Sequence, residues 1–247
     1  MRSVKIALAL SLAVAQAAGA QVNRAAGASA SELKSWSTPW DGRPRDPFAD
    51  KQGHVWFVGQ AGNYVGRLDP KSGEFKRYEV ESGTHPHDLV VDAKGMVWFT
   101  GNANGRIVKL DPATGKFTNY MMPDRSVRDP HTMTFDRNGD AWFTAQGAGV
   151  VGKLTAADGK IRLWKMESGS RPYGILMDSK DHPWFDLFGT NKIGTIDPKT
   201  GEFRAFTLPN DRTRPRSSEV IAYGIDIPPD GSAHSSTLPL FGSSRPR

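Results

Sequence analysis

The stretch Pro86-His87-Asp88-Leu89-Val90-Val91-Asp92-Ala93-Lys94-Gly95-Met96-Val97-Trp98-Phe99-Thr100 decides the fold because its pattern returns along the chain. Trp-Phe recurs at Trp56-Phe57, Trp98-Phe99, Trp142-Phe143 and Trp184-Phe185, in steps of 42, 44 and 42. Pro44, Pro86, Pro130 and Pro172 keep those steps, and so do Gly73, Gly115, Gly159 and Gly201. Markers that share one phase define a tandem repeat, and a period near 42 residues is that of a four-stranded propeller blade. In the second copy, residues 87–92, 96–100, 106–111 and 116–121 read as the four strands. The turns Asp-Pro-x-Thr/Ser-Gly supply an Asp for the turn amides, a Pro with its φ already set and a Gly free to take positive φ. Adjacent Trp and Phe on one strand point to opposite faces. Both faces must therefore be buried, as they are when sheets stack radially. The reading is an all-β propeller of four complete repeats and the start of a fifth.

Working outward, residues 34–39 resemble a lone fourth strand of the kind that closes a propeller ring. Residues 1–20 carry Arg2 and Lys5, a short apolar run and Ala18-Gly19-Ala20, the pattern of a cleaved secretory signal. Removing them lowers the formal net charge from +6 to +4 by the loss of Arg2 and Lys5. The apolar run is too short for a membrane anchor, and a secreted or periplasmic location follows. Residues 21–32 read as a flexible linker and 33–230 as the partial propeller. Pro215 is read as opening the fifth repeat, with 221–226 as its first strand. After Asp230-Gly231 no Trp-Phe follows, so 231–247 is expected to be a disordered or aberrant tail of a C-terminally shortened propeller. The excess positive charge clusters near that end, and nucleic acid is not an expected partner. With no cysteine, the exported fold has neither disulfides nor thiolate metal ligands.

Chemistry is expected at one mouth of the channel. The residue after each marker proline occupies an equivalent place there, giving Arg45, His87, His131, Tyr173 and Arg216. His87 and His131 are the catalytic candidates, as general base and acid or as metal ligands. A solvated channel rim is the plainer alternative. Asp88 and Asp129 are the nearby carboxylates, with Asp88 better suited to bonding loop backbone than to catalysis. The loops after the Trp-Phe strands bring Gln60, Asn63, Asn102, Asn104, Gln146, Asp186 and Asn191 to the same mouth. Arg45, Tyr173, Asn102 and Gln146 are the candidates for binding substrate. His54, His182 and His234 fall outside this phase and read as surface residues. No Gly-x-Ser-x-Gly elbow, phosphate loop or His-Glu-x-x-His is present.

The repeat resembles the virginiamycin B lyase (streptogramin B lyase) family. The carrying residues are 86–92, 96–100 and 106–112, with Pro130-His131, Trp142-Phe143-Thr144, Asn191-Lys192-Ile193-Gly194 and Ile196-Asp197-Pro198. The resemblance implies a seven-bladed parent fold and a Mg²⁺-dependent carbon–oxygen lyase that opens a lactone or ester-linked ring by elimination. It also implies that His87 and His131 match the proline-histidine motif. Lyase-like repeats often carry glutamate directly after Trp-Phe-Thr, where this chain has Gly101 and Ala145, and Gly59 and Leu187 in the first and fourth copies. A non-catalytic propeller that binds a ligand or protein at the same mouth is the alternative, and the metal ligands and oligomeric state stay open.

Overall fold

The computed structural model describes residues 34–208, together with the backbones of strands 5–6, 220–226 and 234–239. Four antiparallel sheets of four strands follow one another as simple meanders. Strand β1 (Lys5–Ile6) pairs with β2 (Trp36–Ser37). The first blade holds β3 (Pro44–Ala49), β4 (Val55–Gly59), β5 (Tyr64–Leu68) and β6 (Phe75–Glu79). The second holds β7 (Pro86–Val91), β8 (Val97–Gly101), β9 (Arg106–Leu110) and β10 (Phe117–Met121). The third holds β11 (Pro130–Phe135), β12 (Ala141–Ala145), β13 (Val150–Leu154) and β14 (Ile161–Lys165). The fourth holds β15 (Pro172–Met177), β16 (Pro183–Leu187), β17 (Lys192–Ile196) and β18 (Phe203–Thr207). A hairpin of β19 (Val220–Asp226) and β20 (His234–Pro239) follows. The first strands β3, β7, β11, β15 and β19 lie side by side in that order, as the inner strands of a propeller do.

The Trp-Phe pairs hold blade to blade. Trp56 of the first blade packs with Leu89 and Phe99 of the second, Trp98 with Met133 and Phe143, and Trp142 with Ile175 and Phe185. Each Trp also stacks on an aromatic of its own fourth strand: Trp56 on Tyr78, Trp98 on Tyr120, Trp142 on Trp164 and Trp184 on Phe206. Its indole N–H is clasped by the Asp six residues earlier, at 2.8 Å from Asp50, 2.9 Å from Asp92, 3.1 Å from Asp136 and 3.0 Å from Asp178. The other oxygen of each Asp accepts two turn amides, so one carboxylate ties the inner turn to the blade core. The outer turns also form as read, with Gly73, Gly115, Gly159 and Gly201 all at positive φ.

Three expectations change. The segment 34–39 does not add a fourth strand to a blade: only Trp36–Ser37 is extended, and it pairs with Lys5–Ile6. Trp40, just beyond Pro39, instead lays its ring against Tyr64 and Phe75 of the first blade, at 5.5 and 6.0 Å. The fifth repeat also has a different frame. The ladder of β19 with β20 is interrupted between Ala222 and Gly224, and that of β15 with β16 between Pro172 and Ile175. Matching these bulges aligns Tyr223-Gly224-Ile225 with Tyr173-Gly174-Ile175, so Ala222 stands where the marker proline does and Tyr223 takes the register assigned to Arg216. A partner strand within 231–247 was not expected, since 234–239 lacks the Trp-Phe mark. Arg216, the signal segment apart from 5–6, the linker and the rest of the tail lie outside the described residues.

Candidate functional site

The same irregularity builds the mouth. In each blade the first strand pairs at its proline (Pro44 with Gly59, Pro86 with Gly101, Pro130 with Ala145, Pro172 with Leu187) and then slips by one residue. A β-bulge lifts the residues it contains off the regular ladder and re-aims their side chains. His87, His131 and Tyr173 sit on these bulges, and their rings form a row across three blades. The centroids of His87 and His131 are 3.7 Å apart, and those of His131 and Tyr173 4.4 Å. Phe188 extends the row at 6.0 Å from Tyr173. At the other end Arg45 donates from Nε to Asp46 Oδ2 at 2.8 Å and from an Nη to Gln60 Oε1 at 3.2 Å. Asp46 Oδ2 also lies 3.5 Å from His87 Nδ1, an ion-pair distance rather than a hydrogen bond.

The histidines are not a solvated rim, since each is only 6% exposed. Burial, with the charges of His131, Arg45 and Arg43, pushes His87 down to about 2. Burial and Arg45 push His131 down to about 4. Both imidazoles are therefore neutral near pH 7 and hold an open lone pair. His131 Nδ1 is 3.0 Å from Thr132 Oγ1, which fixes the ring, while the buried His87 Nδ1 has no hydrogen bond. Leaving a buried polar atom unpaired costs about 1–3 kcal/mol, a cost that a bound ligand or a small shift toward Asp46 removes.

The remaining candidates divide. Asp88 bonds backbone: its Oδ2 accepts from Met133 N of the next blade at 2.8 Å, and burial raises its carboxyl to about 7. Asp129 braces the following loop by accepting the amides of Gly147 and Ala148. Asn102 donates to the Pro130 carbonyl at 3.2 Å, which makes it a seam between blades rather than a group open to substrate. Gln146 is half-buried in the register of Gln60 and Phe188, each of which contacts the mouth residue of its own blade. His54 and His182 are half-buried turn residues beside Asp50 and Asp178, at 3.1 and 3.3 Å. Asp46 is the mouth residue that the sequence reading passed over. Its signal was available, because it stands two residues after Pro44 as Asp88 stands after Pro86.

A resident Mg²⁺ does not fit these residues. The ion requires near-octahedral oxygen ligation, and among the described residues no three His, Asp or Glu converge on one point. The carboxylate at the mouth, Asp46, is already held by Arg45. At the opposite mouth a cavity of about 370 Å³ is lined by Phe48, Val91 and Phe135 with the inner turns. Its carboxylates Asp50, Asp92 and Asp136 are committed to indoles and turn amides.

Comparison with known proteins agrees with this architecture. Among solved structures, a streptogramin B lyase superposes with a TM-score of 0.68 at 30% identity, covering 81% of this chain and 70% of that one. The virginiamycin B lyase of Staphylococcus aureus gives 0.69 at 24% identity, covering 84% and 74%. A catalytically inactive His-to-Ala variant of the S. aureus lyase, solved with quinupristin, gives 0.66 at 28% identity, covering 78% and 63%. No curated protein sequence matches. The model of the virginiamycin B lyase family matches residues 15–234, and the chain belongs to that family.

Proposed function

We propose that this chain is an exported lyase that opens a lactone or ester-linked ring by elimination at the His87–His131 mouth. The observation that carries the reading is the contact of two neutral imidazoles at 3.7 Å beside a fixed guanidinium and carboxylate. His87 is assigned as the base. With Asp46 facing Nδ1, the proton-bearing tautomer leaves Nε2 as the acceptor, and the carboxylate stabilises the imidazolium as it forms. His87 takes the proton α to the substrate carbonyl. The released pair forms a carbon–carbon double bond, and the β carbon–oxygen bond breaks with its electrons leaving on a carboxylate. His131, held by Thr132, packs against His87 and fixes its plane. Arg45, Tyr173 and Gln146 orient the substrate. Membership of a family in which a histidine-to-alanine variant is inactive supports the assignment of a histidine to the chemistry.

The test is to incubate the full chain with quinupristin and weigh the product, because elimination conserves mass whereas hydrolysis adds one water. His87→Ala is expected to lower turnover by about 100-fold or more with little change in melting temperature. Because folding holds both histidines below their usual range, activity is expected to persist to about pH 5 instead of falling near 6.5. Turnover that survives His87→Ala, or a product one water heavier, excludes this chemistry.

A further inference from the structure

We propose that Arg45 does the work of a divalent cation in this chain, its guanidinium being the fixed positive charge that meets the substrate carbonyl as negative charge develops there. The inference rests on the elimination reading above and names the electrophile at that same site. Three observations carry it. Arg45 stands at the one mouth position where the described blades place a permanent cation; the equivalent residues are His87, His131 and Tyr173. Its charge acts on four titratable groups around it, Asp46, His87, Asp88 and His131. Among the described residues it also uses only two of its five N–H donors, on Asp46 and Gln60, which leaves the others for a ligand.

The same contacts disfavour a dication. A metal at this mouth would have to take Asp46 from Arg45, and would then sit against an undiminished like charge. Guanidinium is suited to the substitution because it stays charged at any working pH and presents planar donors to oxygen. Donors fixed in advance where charge develops lower the barrier without reorganising. The step balances without a co-reactant. The α proton goes to the imidazole, the carbon–oxygen pair leaves on the carboxylate, and Arg45 N–H groups donate to the carbonyl oxygen throughout.

The experiment follows quinupristin turnover by the full chain in EDTA and in added Mg²⁺, for the wild type, Arg45→Gln and Arg45→Lys. Equal rates in EDTA and Mg²⁺ are expected, with kcat down about 100-fold in Arg45→Gln, less in Arg45→Lys, and KM moving less than kcat. Turnover that requires Mg²⁺, or that Arg45→Gln leaves intact, overturns the proposal. No turnover by the wild type defeats the elimination reading instead, and melting of the same proteins then decides the role of Arg45. A rise in melting temperature with quinupristin that Arg45→Gln abolishes sustains a substrate-facing charge. A rise with Mg²⁺ in the wild type, or no response to either probe, overturns it.

Discussion

Asp186 stands where two earlier blades carry threonine, and the exchange removes the hydroxyl that bonds the following blade in those two. Thr100 Oγ1 donates to the His131 carbonyl at 2.8 Å and accepts from Asp88 N at 3.1 Å. Thr144 does the same toward the Tyr173 carbonyl and Thr132 N. Asp186 keeps the accepting half, at 3.2 Å from Gly174 N, but its Oδ1 is buried without a partner, and burial raises the carboxyl to about 7. Because the folded state holds this proton more tightly than the unfolded one, its contribution is complete below about pH 4 and is lost as pH rises to about 7. The buried histidines act with the opposite sign, losing stability as pH falls from 6.5. Asp186→Asn is therefore expected to gain stability relative to the wild type as pH climbs from about 4 to 7, read from urea unfolding at each pH. A constant difference would show that the carboxyl does not titrate in this window. Legibility at this scale was uneven. His87, His131, Arg45 and Tyr173 were readable because they share one phase with the prolines. Asp46 and Asp88 share a phase too, yet Asp46 adopts a positive φ of 47° and meets Arg45, while Asp88 reaches the next blade. Such a backbone difference leaves no mark in residue type.

Strands repeat a contact that the marker residues do not announce. Phe57 faces Gly66 across β4 and β5, Phe143 faces Gly152, and Phe185 faces Gly194. The ring fills the space that a side chain would take: a Cβ on Gly152 would lie 2.2 Å from Phe143 Cζ. Gly152→Ala is expected to cost about 1–3 kcal/mol by overpacking, measured by thermal or urea unfolding. A neutral result would mean that the ring swings aside, as it must in the second blade, where Val108 stands opposite Phe99. Strand positions were readable to within about a residue because turn glycines and Trp-Phe pairs bracket them. Two elements were not. Residues 34–39 looked like a blade strand because they are comparable with the fourth-strand stretch 203–209, but pairing partners are set by tertiary contact rather than by pattern. The β20 strand is Ser/Thr-rich, and it became visible only through its ladder with β19. The stacked aromatics Tyr78, Tyr120, Trp164 and Phe206 were an unread signal that keeps the Trp-Phe steps.

Across the molecule, the first strands adjoin in order and each core lies between consecutive blades. The propeller class followed from period and turn chemistry alone, whereas the frame of the fifth repeat required the bulge, because spacing from Pro172 pointed to Pro215. The Trp face of the fourth blade is looser than the others: Trp184 is half-buried, while Trp56, Trp98 and Trp142 are 0–3% exposed. A structure whose units touch only their neighbours has its stability divided among the seams. Pulled by its ends in an optical trap, the chain is expected to yield in discrete rips that start at an end. A rip that frees one 42-residue unit would lengthen the tether by on the order of 140 Å. A single rip releasing all the blades together would mean that load is shared across the array. The indole clasps would then act less like separate rivets than like stitches in one thread.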